Sequence, residues 1–317
     1  MIVSVTGATG FIGRRLVQQL VARGDAVRIL TRDRDRAAAL PDSVAVVIGD
    51  LSRPGPVLER LVEGADVFFH LAGEVGDPSA MRAVHVEGTR ALTEAAAGQV
   101  PHWVQLSSVG VYGPVRKNVV DEKHSLLPKG EYETTKAESD QLVLEKAARK
   151  AFAATLLRPS IVFGPGMRNR SLYQLMAMVD RGLFCFIGPP GASANYIDVD
   201  NVVAALILCG TTPAARNKAY NLSDFCTMEQ FVCAIAAALG KPVPRLRIPE
   251  PLARAAALTL GKLPGFPLTA FRVDALTSRA RYSTAQIEQD LGYAHRISIK
   301  EGLSRLVDYW KKREGDR

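Results

Sequence analysis

Tyr132 and Lys136 are four residues apart in a segment, residues 131–149, whose apolar pattern predicts a helix. Residues at positions i and i+4 lie on the same face of a helix, so the phenol and the ammonium group are expected side by side. A phenol with a pKa of about 10 is a poor acid or base at neutral pH, and a nearby positive charge lowers that pKa. The pair therefore predicts a tyrosine that exchanges a proton with a substrate oxygen.

Ser108 offers a second group for the same chemistry. It follows a predicted strand, and its hydroxyl could donate a hydrogen bond to the substrate oxygen on which Tyr132 acts. Ser107 is the alternative, and either hydroxyl could instead cap the turn that follows the strand. No arrangement of histidine and aspartate accompanies these serines, which argues against a serine-protease type of nucleophile.

Three glycines near the N-terminus, Gly7, Gly10 and Gly13, indicate what this chemistry is coupled to. Gly7 permits a tight turn, Gly10 lets the backbone approach a phosphate, and Gly13 lets a helix lie close to the preceding strand. The start of that helix offers N–H groups and a positive dipole end to an anion. The expected elements are a strand to Thr6, a helix over 11–22 and a strand over 26–30. Together they predict a seat for the pyrophosphate of a dinucleotide.

The order of these motifs resembles the short-chain dehydrogenase/reductase superfamily, in its extended branch with the NAD-dependent epimerase/dehydratase enzymes. The resemblance implies an α/β fold with a doubly wound parallel sheet (Rossmann-type) and a smaller substrate-binding cap. It also implies catalytic roles for Ser108, Tyr132 and Lys136, with Lys136 holding the nicotinamide ribose. Further segments that fit the family are residues 106–113, 158–166, 195–202 and 291–293.

The residues after the second strand bear on the choice between NADP and NAD. NAD-binding members carry an acidic residue there, whereas this chain has Thr31 followed by Arg32. An arginine can hold a 2′-phosphate, so NADP is favoured, with NAD as the alternative if Asp33 or Asp35 moves in. The resemblance implies these cofactor-binding residues: Gly7, Gly10, Phe11, Ile12, Gly13, Arg32, Asp50, Leu51, Leu71, Ala72, Gly73, Tyr132, Lys136, Pro159 and Val162.

The chain departs from its relatives at two places. His85 stands where they usually have asparagine, and we expect it to bond a backbone carbonyl rather than to relay protons. Ala194 stands where nucleotide-sugar members often have an arginine that binds the diphosphate, and other arginines would have to replace it. The expected substrate-binding residues are Ser108, Tyr132, Arg168, Tyr196, Arg279 and Arg281.

The sequence thus predicts an NAD(P)-dependent oxidoreductase or epimerase acting at a secondary alcohol or ketone. A nucleotide sugar in surface polysaccharide synthesis is the favoured substrate. The alternative is an NADPH-dependent reductase of a hydrophobic, steroid-like or flavonoid-like carbonyl, which Ala194 and the apolar stretch 249–263 favour. A third possibility is a non-catalytic protein that senses NADP, although the presence of both Tyr132 and Lys136 argues against it. Dehydratases of the superfamily that this chain resembles usually carry acidic residues beside the serine, and none adjoins Ser108, so the resemblance disfavours dehydration.

Composition limits the remaining possibilities. The 317 residues are 47% hydrophobic and carry a net charge of +8, which favours a large core and an anionic ligand. No apolar run approaches the about 20 residues that span a bilayer, and no nucleic-acid module is recognisable, so a cytoplasmic enzyme and possible homodimer is expected. We expect no metal site and four buried free thiols, at Cys185, Cys209, Cys226 and Cys233. The expected dinucleotide-binding domain is 1–164 with 196–222, and the cap is 165–195 with 223–317.

Overall fold

The computed structural model describes residues 1–260 and 269–315, and within them the strands alternate with helices along most of the chain. The strands are β1 (Ile2–Thr6), β2 (Ala26–Thr31), β3 (Ala45–Ile48), β4 (Val67–His70), β5 (His102–Leu106), β6 (Val119–Val120), β7 (Ala153–Pro159), β8 (Ile161–Phe163), β9 (Phe186–Ile187), β10 (Ser193–Asp198), β11 (Lys218–Leu222), β12 (Asp224–Thr227), β13 (Arg247–Ile248) and β14 (Arg281–Tyr282).

The helices are α1 (Phe11–Ala22), α2 (Arg34–Ala37), α3 (Val57–Val62), α4 (Pro78–Arg82), α5 (Gly88–Ala96), α6 (Glu131–Ala148), α7 (Arg170–Asp180), α8 (Val199–Thr211), α9 (Met228–Leu239), α10 (Glu250–Leu260), α11 (Ala270–Thr277), α12 (Ala285–Leu291) and α13 (Ile299–Gly315). A π-helical turn, Ala83–Glu87, joins α4 to α5, and a 3₁₀ turn, Val109–Tyr112, follows β5.

The central sheet has seven parallel strands in the order β3-β2-β1-β4-β5-β7-β11. The chain leaves β1 toward one edge of the sheet and later returns to β4 on the other side of β1. In sheets of this kind the ligand binds where the strand order reverses, here in the crevice beyond the carboxyl ends of β1 and β4. This is the doubly wound α/β fold that the sequence predicts.

Helices cover both faces of the sheet because its strands are apolar on both sides. One face packs against α1 and α8 through Leu16, Leu20, Val202 and other buried residues. The opposite face packs against α3, α5 and α6 around the fully buried Trp103. Two helix layers thus hold the sheet rigid, and the loops at its carboxyl edge form the site.

A second core lies in the cap, where α7, α9 and α13 surround Phe231. A small sheet of β12, β10 and β8 connects this core to the central sheet, and the parallel strand β11 returns the chain to it. The short strands β9 and β13 pair beside α10 and α11. Part of the apolar stretch 249–263, namely residues 261–263, lies outside the described residues.

The four cysteines do not share one environment. All are free, and Cys209 is buried as expected. The prediction of burial is wrong for Cys233, which is exposed, because α9 turns this position away from the cap core. Cys185 and Cys226 are partly buried.

Candidate active site and cofactor cleft

The glycine turn after β1 is shaped by close contact with the strand beside it. Gly7 has φ +70°, and a Cβ there would lie 2.5 Å from the carbonyl carbon of Leu71, which follows β4. A Cβ on Gly13 would collide with the carbonyl oxygen of Gly7. Gly10 stands at the N-terminus of α1 without a side-chain cap, so first-turn N–H groups are left for a ligand. The turn therefore fits the pyrophosphate seat that the sequence predicts.

A cleft opens above this turn at the carboxyl edge of the sheet. It is lined by Gly7, Gly10, Arg32, Asp50, Leu51, Leu71, Ala72 and Gly73, eight of the residues expected to bind the cofactor. Phe11, Ile12 and Gly13 form the first turn of α1, while Tyr132, Lys136, Pro159 and Val162 lie outside this lining. Nine further residues line the cleft, and three of them carry a charge, namely Arg36, Glu74 and Arg168, which the sequence does not predict as cofactor ligands.

Arg32, Arg36 and Arg168 share one property. Within the described residues none of the three makes a side-chain hydrogen bond or an ion pair. Asp33 could have neutralised Arg32, but its carboxylate caps α2 by accepting the Asp35 N–H at 2.9 Å. The cleft therefore presents three unpaired guanidinium groups around a glycine turn, an arrangement that fits an anion with several phosphates.

The expected catalytic residues come from α6 and the end of β5. Tyr132 lies in the first turn of α6 and is half-buried, and Lys136 lies one turn later with its Nζ donating to the carbonyl of Leu106 at 2.7 Å. Ser108 accepts the Gly110 N–H at 3.0 Å and adjoins the Tyr132 phenol. Ser107 instead donates to Asp140 at 2.6 Å inside the protein. Ser108 is thus the serine that the fold places beside the tyrosine, and it also caps the turn.

Burial dominates the proton affinities here. It raises the pKa of Tyr132 to about 12, the charges of Glu133 and Asp140 add to the rise, and only the hydrogen bond with Ser108 opposes it. Burial also lowers the pKa of Lys136, which Asp140 counteracts. The expectation that Lys136, together with the positive charge of an oxidised nicotinamide, lowers the phenol pKa stays a prediction. The phenol is protonated at neutral pH and can act as a proton donor.

A buried network of ionic and polar side chains connects the catalytic helix α6 to the central sheet. Asp140 lies 3.5 Å from Arg158, whose guanidinium also donates to the Tyr112 hydroxyl at 3.0 Å. The Tyr112 hydroxyl donates in turn to Asn221 at 2.8 Å. Removing one member of such a buried set leaves the remaining charged or polar groups buried without a partner, which is strongly destabilising. The set ties α6 to the strands that carry Arg158 and Asn221.

The expected substrate residues do not converge in one place. Arg279 donates to the carbonyls of Pro189 and Pro190, at 3.0 and 2.7 Å. The guanidinium of Arg281 lies 4.0 Å from the ring centroid of Phe225, and Tyr196 stacks on Phe231 at 4.3 Å. Arg168 lies along the cofactor cleft instead. Of the six expected residues, the fold brings Ser108 and Tyr132 together.

His85 has a different role from the one expected. Its Nε2 accepts the Glu74 N–H at 2.8 Å, and its Nδ1 lies 2.8 Å from the Thr135 hydroxyl, so the prediction of a bond to a backbone carbonyl is wrong. The substitution of asparagine by histidine was the signal that marked this position. The alternating run 32–36 was the only sequence signal for Arg36.

The strand order, the glycine turn and the Ser108, Tyr132 and Lys136 group define a dinucleotide-binding enzyme of the short-chain dehydrogenase/reductase type. The profile of the NAD dependent epimerase/dehydratase family matches residues 3–223. The chain belongs to this family.

The relatives of this chain include an epimerase and several reductases. The chain is 27% identical over 325 residues to an N-acetyl-alpha-D-glucosaminyl-diphospho-ditrans,octacis-undecaprenol 4-epimerase of Escherichia coli O157:H7, covering 97% of this chain and 94% of that protein. It is 28% identical over 330 residues to a 2-alkyl-3-oxoalkanoate reductase of Shewanella oneidensis, covering 95% and 84%. Epimerases and reductases therefore both occur among its relatives.

A solved structure supports the fold. The UDP-glucuronic acid 4-epimerase of Bacillus cereus, in complex with NAD, superimposes with a TM-score of 0.76 at 18% identity, covering 98% of this chain and 99% of that one. Within residues 1–260 and 269–315, no helix is long and apolar enough to cross a membrane.

Proposed function

We propose that this protein reduces the carbonyl group of a hydrophobic small molecule, or oxidises the corresponding secondary alcohol, with NADPH as the preferred cofactor. The observation that carries the proposal is the contrast between three unpaired arginines in the cofactor cleft and two substrate-side arginines that are engaged in contacts within the cap. The epimerase and reductase relatives support the reaction class.

In this proposal each group of the chain has one task. Tyr132 gives its proton to the substrate oxygen, and Ser108 holds that oxygen by a hydrogen bond. Lys136, fixed by the Leu106 carbonyl, binds the nicotinamide ribose and offsets the charge that forms on the phenol. The bound nicotinamide supplies or accepts the hydride. The raised pKa of Tyr132 suits the donor role, which is the direction of reduction.

The preference for NADPH rests on Arg32 and Arg36. Both line the cleft beside Thr31, where a carboxylate would repel a 2′-phosphate, and the carboxylate of Asp33 is engaged in capping α2. We assign Arg168 to the phosphates that NADP and NAD share, because it lines the same cleft from the loop that follows β8. Charge-assisted contacts of this kind contribute about 1.5–3 kcal/mol each.

The proposal of a hydrophobic substrate rests on Ala194 and on the contacts that engage two arginines of the cap. Ala194 is buried where nucleotide-sugar enzymes often carry the diphosphate-binding arginine, and Arg279 and Arg281 are held by contacts within the protein. The Shewanella relative is named for an alkyl-substituted oxo acid, and the Escherichia relative for an undecaprenol-linked sugar. Both names describe substrates with a hydrocarbon part.

A sugar epimerase is the second candidate function. The Escherichia relative and the net charge of +8 favour it, because a sugar diphosphate is an anion. An epimerase would return the hydride to the same substrate and keep its cofactor, whereas a reductase would release it.

The test combines cofactor and substrate binding. NADPH and NADH are titrated into the purified protein, and NADPH oxidation is then followed with a 2-alkyl-3-oxo acid, a steroid 3-ketone and a UDP-sugar. We expect tighter NADPH binding, stoichiometric oxidation with at least one hydrophobic ketone, and no binding of UDP at millimolar concentration. Tight UDP binding without net NADPH oxidation would replace this proposal by the epimerase.

A further inference from the structure

His85 joins two parts of the active site that are far apart in the sequence. It lies in the π-helical turn Ala83–Glu87 and is buried, with 1% of its surface exposed. Its two ring nitrogens contact Glu74, eleven residues before it, and Thr135, fifty residues after it. Single π-turns within helices are rare and frequently occur at functional sites.

The hydrogen bonds define the tautomer of the ring. Nε2 accepts the Glu74 N–H and so carries no proton, which places the proton of the neutral imidazole on Nδ1. Nδ1–H then donates to the Thr135 hydroxyl oxygen at 2.8 Å, and the Thr135 hydroxyl donates to the carbonyl of Glu131 at 2.7 Å. Burial and the charge of Lys136 lower the pKa of His85 to about 4, so the ring is neutral at pH 7.

One end of this connection is the loop that lines the cofactor cleft. Glu74 lines that cleft, and its carboxylate accepts the N–H groups of Gly76 and Asp77 at 2.7 and 3.2 Å. A Cβ on Gly73 would lie 3.3 Å from His85 Nε2, so the loop approaches the ring closely. We call residues 73–77 the cofactor loop.

The other end is the first turn of the catalytic helix. Thr135 follows Tyr132 by three residues in α6, and its hydroxyl also lies 3.1 Å from the Tyr132 carbonyl. The His85 ring meets the Tyr132 ring edge-on, with 5.6 Å between the ring centroids. The backbone and the ring of Tyr132 are thus both in reach of His85 or of its hydrogen-bond partner.

We propose that His85 is a positioning residue whose Nε2 holds the cofactor loop while its Nδ1–H holds the first turn of α6, so that cofactor binding and the placement of Tyr132 depend on one side chain. The proposal rests on the proposed function for the role of Tyr132. Asparagine, with its amide near the Nδ1 position, is too short to reach Glu74 as well, and only the longer imidazole serves both ends.

Two substitutions remove the hydrogen bonds of His85 to Glu74 and to Thr135 one at a time. His85→Asn places an amide nitrogen near Nδ1 and keeps the bond to Thr135 but loses the bond to Glu74. His85→Gln places its amide near Nε2 and keeps the bond to Glu74 but loses the bond to Thr135. Hydrogen exchange of the Glu74 amide, measured by NMR without cofactor, is expected to be at least tenfold faster in His85→Asn and unchanged in His85→Gln.

The variants His85→Asn and His85→Gln should also separate an effect on NADPH binding from an effect on turnover. NADPH affinity is expected to fall about fivefold in His85→Asn and to stay within twofold in His85→Gln. With a ketone that the wild type reduces, kcat is expected to fall more in His85→Gln. Wild-type ¹⁵N NMR of the imidazole, which needs no variant to fold, should show a protonated Nδ1 and a bare Nε2 at pH 7.

The opposite tautomer, or equal Glu74 exchange in the wild type and in His85→Asn, overturns the proposal. Failure of the wild type to reduce any ketone overturns the proposed function instead, and leaves the exchange and the tautomer as a valid test of the role of His85.

Discussion

The cofactor cleft and the cap use their arginines in opposite ways. In the cleft, Arg32, Arg36 and Arg168 have no side-chain partner within the part of the chain that the structure describes. In the cap, Arg279 binds two backbone carbonyls and Arg281 lies over an aromatic ring. Unpaired like charges repel one another, so a cluster of them is expected where an anionic ligand compensates for that repulsion. The comparison favours phosphates at the cofactor end and a weakly charged substrate at the cap end.

The largest effect is expected at Tyr132, where the two regions meet. Tyr132→Phe removes the phenolic proton and keeps the ring, so turnover should fall by at least about a thousandfold, or ~4 kcal/mol in the activation free energy. NADPH affinity should stay nearly the same. Steady-state kinetics and an NADPH titration check both results, and residual activity within tenfold of the wild type would remove Tyr132 from the mechanism.

The next effect concerns acid stability. Burial lowers the pKa of His85 and of His102 to about 4, and lowers that of His70 well below its ordinary value. Histidines in the unfolded chain have a pKa of about 6.5. Between that pH and about 4, the unfolded chain therefore binds more protons than the folded one. This contribution to stability is therefore full above pH 6.5 and is lost as the pH falls, by on the order of 3 kcal/mol for each histidine whose pKa is lowered to about 4.

Calorimetry between pH 7 and pH 5 measures this loss as a falling Tm. All three histidines belong to the region expected to bind the dinucleotide, so that region should open first. His102→Gln preserves a donor to the Thr155 hydroxyl, which His102 Nε2 contacts at 2.8 Å, and should flatten the pH dependence. A Tm that is constant between pH 7 and pH 5 contradicts this prediction.

Arg32 tests the cofactor side of the comparison. Arg32→Ala should weaken NADPH binding by about 1.5–3 kcal/mol and leave NADH binding nearly unchanged, because only NADPH carries the 2′-phosphate. Arg34→Ala is the matched control, since Arg34 is also exposed but does not line the cleft. Equal losses for both cofactors in Arg32→Ala would assign this arginine to a shared phosphate.

The features that could be predicted from the sequence are those determined by residues close together in the sequence. The end of the first strand at Thr6 and the bounds of α1 agree with the structure, and the second strand ends one residue beyond the expected 26–30. β-branched runs and helical periodicity are local signals, so such elements can be predicted from the sequence. The glycine turn and the pair Tyr132 and Lys136 are likewise determined by residue type at short spacing.

The contacts of the arginines and of His85 were not predictable in this way. Arg279 binds carbonyls 89 and 90 residues away, and His85 meets a hydroxyl 50 residues away. Nothing in the local pattern distinguishes an arginine engaged with its own backbone from one that faces a ligand, since both are exposed and charged in the sequence. The raised pKa of Tyr132 depends on burial, which the pair Tyr132 and Lys136 does not reveal.

The smallest effect is expected at Arg279, and it tests the cap side of the comparison. Arg279→Ala removes hydrogen bonds to the carbonyls of Pro189 and Pro190, which should lower the free energy of unfolding by about 1 kcal/mol. Arg245→Ala serves as the control and should change the free energy of unfolding less, because Arg245 is exposed and makes no side-chain hydrogen bond or ion pair within residues 1–260 and 269–315. Because Arg279 is engaged in these bonds, UDP should fail to bind wild type and variant alike. If UDP binds the wild type and Arg279→Ala abolishes that binding, this arginine is a diphosphate ligand, the contrast between cap and cleft fails, and the sugar epimerase becomes the better proposal.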